Sequence, residues 1–205
     1  MKQKVFCGFL LLIVSVVLAW SAIRPHDYLT WLLEVFPAVL AATILVSTSR
    51  QFQFTNLAYV LVTAHAIVLI VGGHYTYAEV PLFNWLRDHF HLSRNYYDRV
   101  GHFMQGFVPA IVAREILIKK SPVKRGAWLN FYVFCIGGTI TALYELFEWG
   151  VAVISGTAAD SFLGTQGDIW DTQCDMFLAF VGVCAALIFI SKWHDKQLAS
   201  QLNEH

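Results

Sequence analysis

Leu57-Ala58-Tyr59-Val60-Leu61-Val62-Thr63-Ala64-His65-Ala66-Ile67-Val68-Leu69-Ile70-Val71-Gly72-Gly73 is an apolar run interrupted by one histidine. A hydrocarbon core about 30 Å thick is crossed by roughly 20 helical residues, so this stretch predicts a membrane-spanning helix. Two further runs, at 5–23 and 172–191, are nearly as free of charge. Three others are weaker: 29–47 contains Glu34 and Pro37, and 98–118 and 127–152 carry several ionisable groups. Together they predict an all-α, polytopic membrane helix bundle of about six transmembrane helices, with residues 1–205 forming a single integral-membrane domain.

The composition agrees. Of 205 residues, 57% are hydrophobic and only 14% charged, with a mean hydropathy of +0.56. A soluble domain carries about 25% charged residues, so this chain cannot cover a water-facing surface, and its apolar content excludes disorder. Fourteen Lys and Arg balance fourteen Asp and Glu. Without a basic excess, nucleic acid is not an expected partner; the lipid bilayer is.

Cytoplasmic loops of membrane proteins retain Lys and Arg. Lys2, Lys4, Arg50, Lys119, Lys120, Lys124, Arg125, Lys192 and Lys196 fall on one side of the predicted spans, and Arg24, Arg87, Arg94 and Arg99 on the other, with Arg114 near an inner helix end. This places both termini in the cytoplasm. Trp20, Tyr28, Trp31, Tyr75, Trp149 and Trp170 mark the outer interface, and Trp128 and Trp193 the inner one. The opening Met1-Lys2-Gln3-Lys4 and the run after it also fit a signal peptide, with a poor cleavage region at Ala19 to Ala22. The outer connection from His74 to Tyr97 contains a segment, Pro81 to Phe90, that suits either a short interfacial helix or an ordered loop. Cys7, Cys135, Cys174 and Cys184 show no metal-type spacing and are assigned no role.

The ionisable residues collect at the outer end. Asp98 and His102 open the fourth span, Glu145 and Glu148 close the fifth, and Asp168, Asp171 and Asp175 enter the sixth. Spacings of three, four and seven put each set on one helical face. Glu34, His74 and Glu79 belong to the same half, as does Arg99; the inner half offers little beyond Arg114 and Glu115. Charges within spans are costly and normally face a cavity or one another. Converging carboxylates with few cations predict either a bound divalent metal or protonated acids. Oxygen ligands with an imidazole suit Mg, Mn, Ca or Zn. The metal candidates are Asp98, His102, Glu145, Glu148, Asp168, Asp171 and Asp175, with His74, Glu79, Arg99 and Glu34 as accessory groups; no organic cofactor is expected.

Structural alternatives exist for each. Asp98 and Asp168 could cap helices. Glu145 and Glu148 could form a polar lock with Arg99, and His102 an interhelical hydrogen bond. His65 reads as structural, and His89 and His91 as interfacial. Gly72-Gly73 and Gly137-Gly138 suit close helix packing, and Gly164-Thr165-Gln166-Gly167 either a plain turn or an anion-binding one.

Four stretches carry a resemblance: Gly73-His74-Tyr75-Thr76-Tyr77-Ala78-Glu79-Val80-Pro81, Tyr97-Asp98-Arg99-Val100-Gly101-His102-Phe103, Tyr144-Glu145-Leu146-Phe147-Glu148-Trp149, and Gly164-Thr165-Gln166-Gly167-Asp168-Ile169-Trp170-Asp171-Thr172-Gln173. The chain resembles the YjdF-type family of bacterial inner-membrane proteins, a family without an assigned biochemical function. More distantly, its second half is similar to VanZ-like membrane proteins, whose pattern is Asp-Lys-x-x-His-Phe, Glu-x-x-Gln, then an Arg followed by Asp-x-x-x-Asn. Asp98, Arg99, His102, Phe103, Glu145 and Asp171 match that pattern. Glu148 replaces its Gln, Asp175 its Asn, and its Arg is missing near Thr165. These departures make the site more acidic, and the resemblance implies association with the cell envelope.

Three functions compete: a metal site acting on a lipid-linked or envelope substrate, an ion- or proton-coupled transporter, and a non-catalytic membrane protein whose polar cluster is structural or docks a partner. The lack of an internal repeat counts against the transporter.

Overall fold

The computed structural model describes residues 2–156 and 160–203, and these are helices joined by short connections. They are α1 (Lys2–Ser21), α2 (Tyr28–Thr48), α3 (Asn56–Tyr75), α4 (Pro81–Phe90), α5 (Tyr97–Lys120), α6 (Ala127–Ser155), α7 (Asp160–Leu163), α8 (Asp171–Ala185) and α9 (Ser191–Asn203). A π-helical segment, Ala186–Ile190, joins α8 to α9 as one continuous rod. Local chemistry sets the helix starts. The Thr30 amide donates to the Asp27 carboxylate at 2.6 Å ahead of α2, and the Ala58 amide to the Thr55 hydroxyl at 3.3 Å ahead of α3, each satisfying a donor the first turn leaves free. Pro81 begins α4, where a missing N–H costs nothing. The segment Pro81 to Phe90 is therefore helical, with Leu82, Trp85 and Phe90 exposed along it.

Among the described residues, five stretches are long and apolar enough to cross a membrane: Gln3–Ser21, Tyr28–Thr48, Asn56–Tyr75, Ala127–Ser155 and Asp171–Gln201. Helix α5 has 24 residues, a rise of about 36 Å. It is less apolar than the other long helices because it holds Asp98, Arg99, His102, Gln105, Arg114, Glu115, Lys119 and Lys120. Its surroundings explain how it tolerates them: α5 packs against α3, α6 and α8, so that Asp98, His102, Arg114 and Glu115 are buried in protein. Lipid instead meets the apolar faces of the outer helices, where Phe9, Leu12, Leu32, Phe36, Ile154 and Phe177 are exposed.

In a bilayer, lipid is as apolar as leucine, so helices associate through close packing and polar contacts. Gly106 on α5 lies against the Ala179 backbone of α8, and Gly182 on α8 against the Phe103 backbone of α5; a Cβ at either would collide with main chain. Gly137 and Gly138 pack on Val183 and Phe180, while Gly72 and Gly73 take Tyr77 and the Trp31 to Glu34 turn. The glycine pairs are thus packing points, as expected. Helix α1 is tied in at both ends: Gln3 Nε2 donates to the Phe54 carbonyl at 3.0 Å, and Trp31 Nε1 to Ser21 Oγ at 3.0 Å.

The end of the bundle remote from Asp98 is far from bare, contrary to the sequence expectation that it offers little beyond Arg114 and Glu115. Glu115 and His194 are fully buried. Glu115 accepts from the Thr55 amide and hydroxyl, both at 2.8 Å, from Lys119 at 2.6 Å and from His194 Nε2 at 2.9 Å. Arg114 donates to His194 Nδ1 at 3.1 Å and, through both oxygens, to Asp195 at 2.9 Å. An arginine can only donate, so Nδ1 of His194 is the acceptor in this contact and Nε2 the nitrogen turned to Glu115. This network locks α5, α9 and the start of α3 together.

Candidate functional site

The close approach of α5 and α8 brings the outer polar residues together, and two arginines organise them. Arg94 donates to Asp171 at 2.5 Å, to Asp98 and Asp168 at 3.4 Å and to the Gly164 carbonyl at 3.1 Å. Arg99 donates to Asp171 at 2.8 Å, to Asp168 at 2.9 Å and, very closely, to Asp175. Both side chains are nearly buried, as are Asp98, Asp171 and Asp175; Asp168 is partly exposed. The sequence marks Arg94 only as a charge of the connection between α4 and α5.

The connections are built to hold Arg94. Gly164, Gln166 and Gly167 adopt positive φ. Gln166 exchanges hydrogen bonds with the Asn95 backbone, accepting from its N–H and donating to its C=O, both at 2.9 Å. The Asn95 amide group donates to the Val80 carbonyl at 3.1 Å and to Asn84 at 2.8 Å. The turn at 164–167 therefore presents a carbonyl to a guanidinium, not amides to an anion. Capping is also redistributed. Tyr96 is the N-cap of α5 and Asp98 lies in its first turn, with Asn95 Oδ1 accepting from the Tyr97 amide. Asp168 accepts from the Trp170 amide at 2.9 Å just ahead of α8.

On the other side of Asp98 lies a second group. His102 Nδ1 is hydrogen-bonded to Gln105 Oε1 at 3.0 Å. Its Nε2 faces Asp98 Oδ1 at 3.4 Å and Asp175 Oδ1 at 3.8 Å. Asp98, His102 and Asp175 each offer a donor atom within 4.8 Å of the others, and all three are buried. Glu145 Oε1 stands 3.6 Å from His102 Nδ1 and is buried without a hydrogen-bond partner. The expected lock between Arg99 and the glutamates is not what forms: Arg99 pairs with aspartates of α8 and the preceding turn because the close α5–α8 approach puts them nearer. Glu34, 3% exposed on α2, accepts from Tyr144 OH at 3.5 Å, and together with Glu148 lines a cavity that Asp98 and His102 also face.

Two accessory candidates sit elsewhere. His74 turns towards α1, with Nδ1 bonded to the Ser21 carbonyl at 2.9 Å and its ring 4.4 Å from that of Trp20. Glu79 is exposed and accepts from Asn84.

A family model described as predicted membrane protein (DUF2238) matches residues 6–196. The chain belongs to this family. It is 47% identical over 187 residues to inner membrane protein YjdF of Escherichia coli (strain K12), covering 91% of this chain and 90% of that protein. The family match therefore bears out the first resemblance, while the VanZ-like pattern rests on its residues alone. No solved structure matches.

Proposed function

We propose that this multi-pass inner-membrane protein holds a divalent cation on Asp98, His102 and Asp175 at the periplasmic end of the bundle, and acts there on the polar part of an envelope or lipid-linked substrate. The topology in this reading is six spans, with α5 as the central one and both termini cytoplasmic, as the Lys and Arg distribution predicts.

The observation that carries it is the orientation of His102. His102 Nδ1 is hydrogen-bonded to Gln105 Oε1, which leaves Nε2 facing Asp98 and Asp175; an imidazole with its proton on Nδ1 would present the Nε2 lone pair there. Three buried electron-pair donors converge, and a cation is what such a set attracts. Tetrahedral ligands at 2.0 to 2.2 Å from a metal would lie roughly 3.3 to 3.6 Å apart, against 3.4 and 3.8 Å from His102 Nε2 to Asp98 and Asp175. Charge supports the same reading. Asp98, Asp168, Asp171, Asp175, Glu145, Glu148 and Glu34 face two arginines and one imidazole, and Glu145 Oε1 has no partner. Gln105 acts here as the outer partner that fixes the ring. A cation held there would supply polarisation of a substrate oxygen or activation of a water.

The inner network does not favour a relay across the membrane. Its groups are mutually paired, and buried Val108, Ala110 and Ile111 separate it from His102 along α5. The test is Mn2+ titration of purified protein followed by electron paramagnetic resonance. One tight site is expected, weakened at least 100-fold by Asp98→Asn with His102→Gln. Equal Mn2+ binding by the parent and a folded double variant refutes the reading.

A further inference from the structure

The cavity that Asp98 and His102 face has a volume of about 550 Å³, within the roughly 300 to 1,000 Å³ of small-molecule sites. It runs between α2, α3, α5 and α6. At one end stand Glu34, Asp98, His102, Tyr144 and Glu148; beyond them the wall is mostly apolar, through Ala41, Ile44 and Val112 to Phe52 and Ile116, with His65, Gln105 and Thr48 as its polar members. Along α2 the lining extends from Glu34 to Thr48, about 21 Å of helix. One leaflet of hydrocarbon is about 15 Å deep, so the apolar part accepts an extended lipid chain. The seam lies where α2 leans on α3, and α6 on α5 and α8.

The outer end is rich in acceptors. The buried Glu34 accepts from Tyr144 OH through Oε2 in a long contact of 3.5 Å, and Tyr77 stands beside the same carboxyl. Pro37 and Pro109 also line the cavity. Neither can donate to the carbonyl four residues earlier, so the carbonyls of Leu33 and Gln105 lose their helical donors at the level of this polar end. Arg94 and Arg99, the cations nearby, are committed to Asp168, Asp171 and Asp175. A bare phosphate entering the cavity would meet acceptor oxygens, whereas an ammonium brings the donors that Glu34, Tyr144 and Glu148 can accept.

We propose that this cavity binds a long-chain amphiphile with an ammonium head, the chain between α2, α5 and α6 and the ammonium between Glu34 and Glu148. This rests on the proposed function in that the head lies beside the cation site and is the part that site would act on; its binding requires no metal. The ammonium can come from a free long-chain amine or from an aminolipid headgroup.

The test is native mass spectrometry of the full chain with equal concentrations of dodecylamine, dodecyl phosphate and dodecanol, after chelation of metals. Dodecylamine should bind one to one and at least 10-fold better than either competitor. Glu34→Gln with Glu148→Gln should remove that preference, and Ala41→Trp, which fills the apolar part, should remove binding of all three. Glu148→Gln alone, at a partly exposed position, should weaken dodecylamine at least 3-fold and serves if the double variant does not fold. Displacement by lysophosphatidylethanolamine assigns the headgroup source; displacement by free amines alone assigns the other. Dodecyl phosphate or dodecanol binding as well as dodecylamine, or undiminished preference in Glu148→Gln, overturns the proposal. Mn2+ binding measured on the same preparations separates the two readings, because loss of either leaves the other measurable.

Discussion

Arg99→Leu is the most informative perturbation of the outer cluster. Its guanidinium reaches Asp168, Asp171 and Asp175 at once, and its side chain is 10% exposed against 8% for Asp171 and 3% for Asp175, so the burial regime applies. Removing one partner of a buried ion pair costs about 3 to 5 kcal/mol, because a charge is left without compensation. For a chain of about 200 residues, 1 kcal/mol corresponds to roughly 2 to 4 °C in Tm, so a fall of about 6 to 20 °C is expected. The assay is thermal unfolding of detergent-purified protein followed by intrinsic tryptophan fluorescence. Arg99→Lys should fall between parent and Leu variant, since an ammonium cannot fork between carboxylates. Adding Asp175→Asn to Arg99→Leu should restore part of the loss, with a coupling of about 0.5 to 3 kcal/mol. A fall below about 3 °C for Arg99→Leu, or strict additivity in the double variant, would refute the reasoning that this cluster is a desolvated ionic network.

Other outcomes follow from the same structure. Gly106→Val or Gly182→Val should abolish stable folding, since the new Cβ meets backbone of the facing helix; recovery of normally folded protein in a size-exclusion assay checks this. His194→Ala should lower Tm by about as much as Arg99→Leu, because it leaves Glu115 and Arg114 partly unsatisfied in a buried setting. Asp27→Ala should cost about 1 kcal/mol as a lost helix cap. The Thr30 amide bonded to Asp27 holds its carboxyl below the usual carboxylate range. The sign is therefore fixed: the contribution of this cap is complete above about pH 4 and is lost as pH falls through the lower folded value, so parent and variant should converge in Tm in strong acid.

How far the sequence foretells this molecule depends on whether a residue acts through its own helix or through a neighbour. The apolar runs place the first five long helices and the start of the sixth within a few residues because crossing lipid fixes length and composition together. Asp98, His102, Asp171 and Asp175 are legible because their spacing on one face shows even when the partner helix is unknown. Arg94 is not, since its role depends on a turn around Gly164 and Gln166 that comes from seventy residues further along the chain. His74 and Glu79 share the outer half with the cluster, yet the end of α3 turns towards α1, a direction that periodicity does not encode. The inner network escapes notice for a different reason. His194 and Asp195 lie beyond the last apolar run and read as a solvated tail, whereas the rod of α8 and α9 continues without a break and docks them on Arg114 and Glu115.

The most direct test of the account is an anomalous difference map from crystals of the full chain grown with Mn2+. One strong peak bounded by Asp98, His102 and Asp175, with Gln105 retained on His102 Nδ1, is the predicted result. Well-ordered density for those three side chains with no peak between them, at Mn2+ concentrations that saturate ordinary carboxylate sites, would contradict it and leave the outer cluster as a structural clamp between α5 and α8.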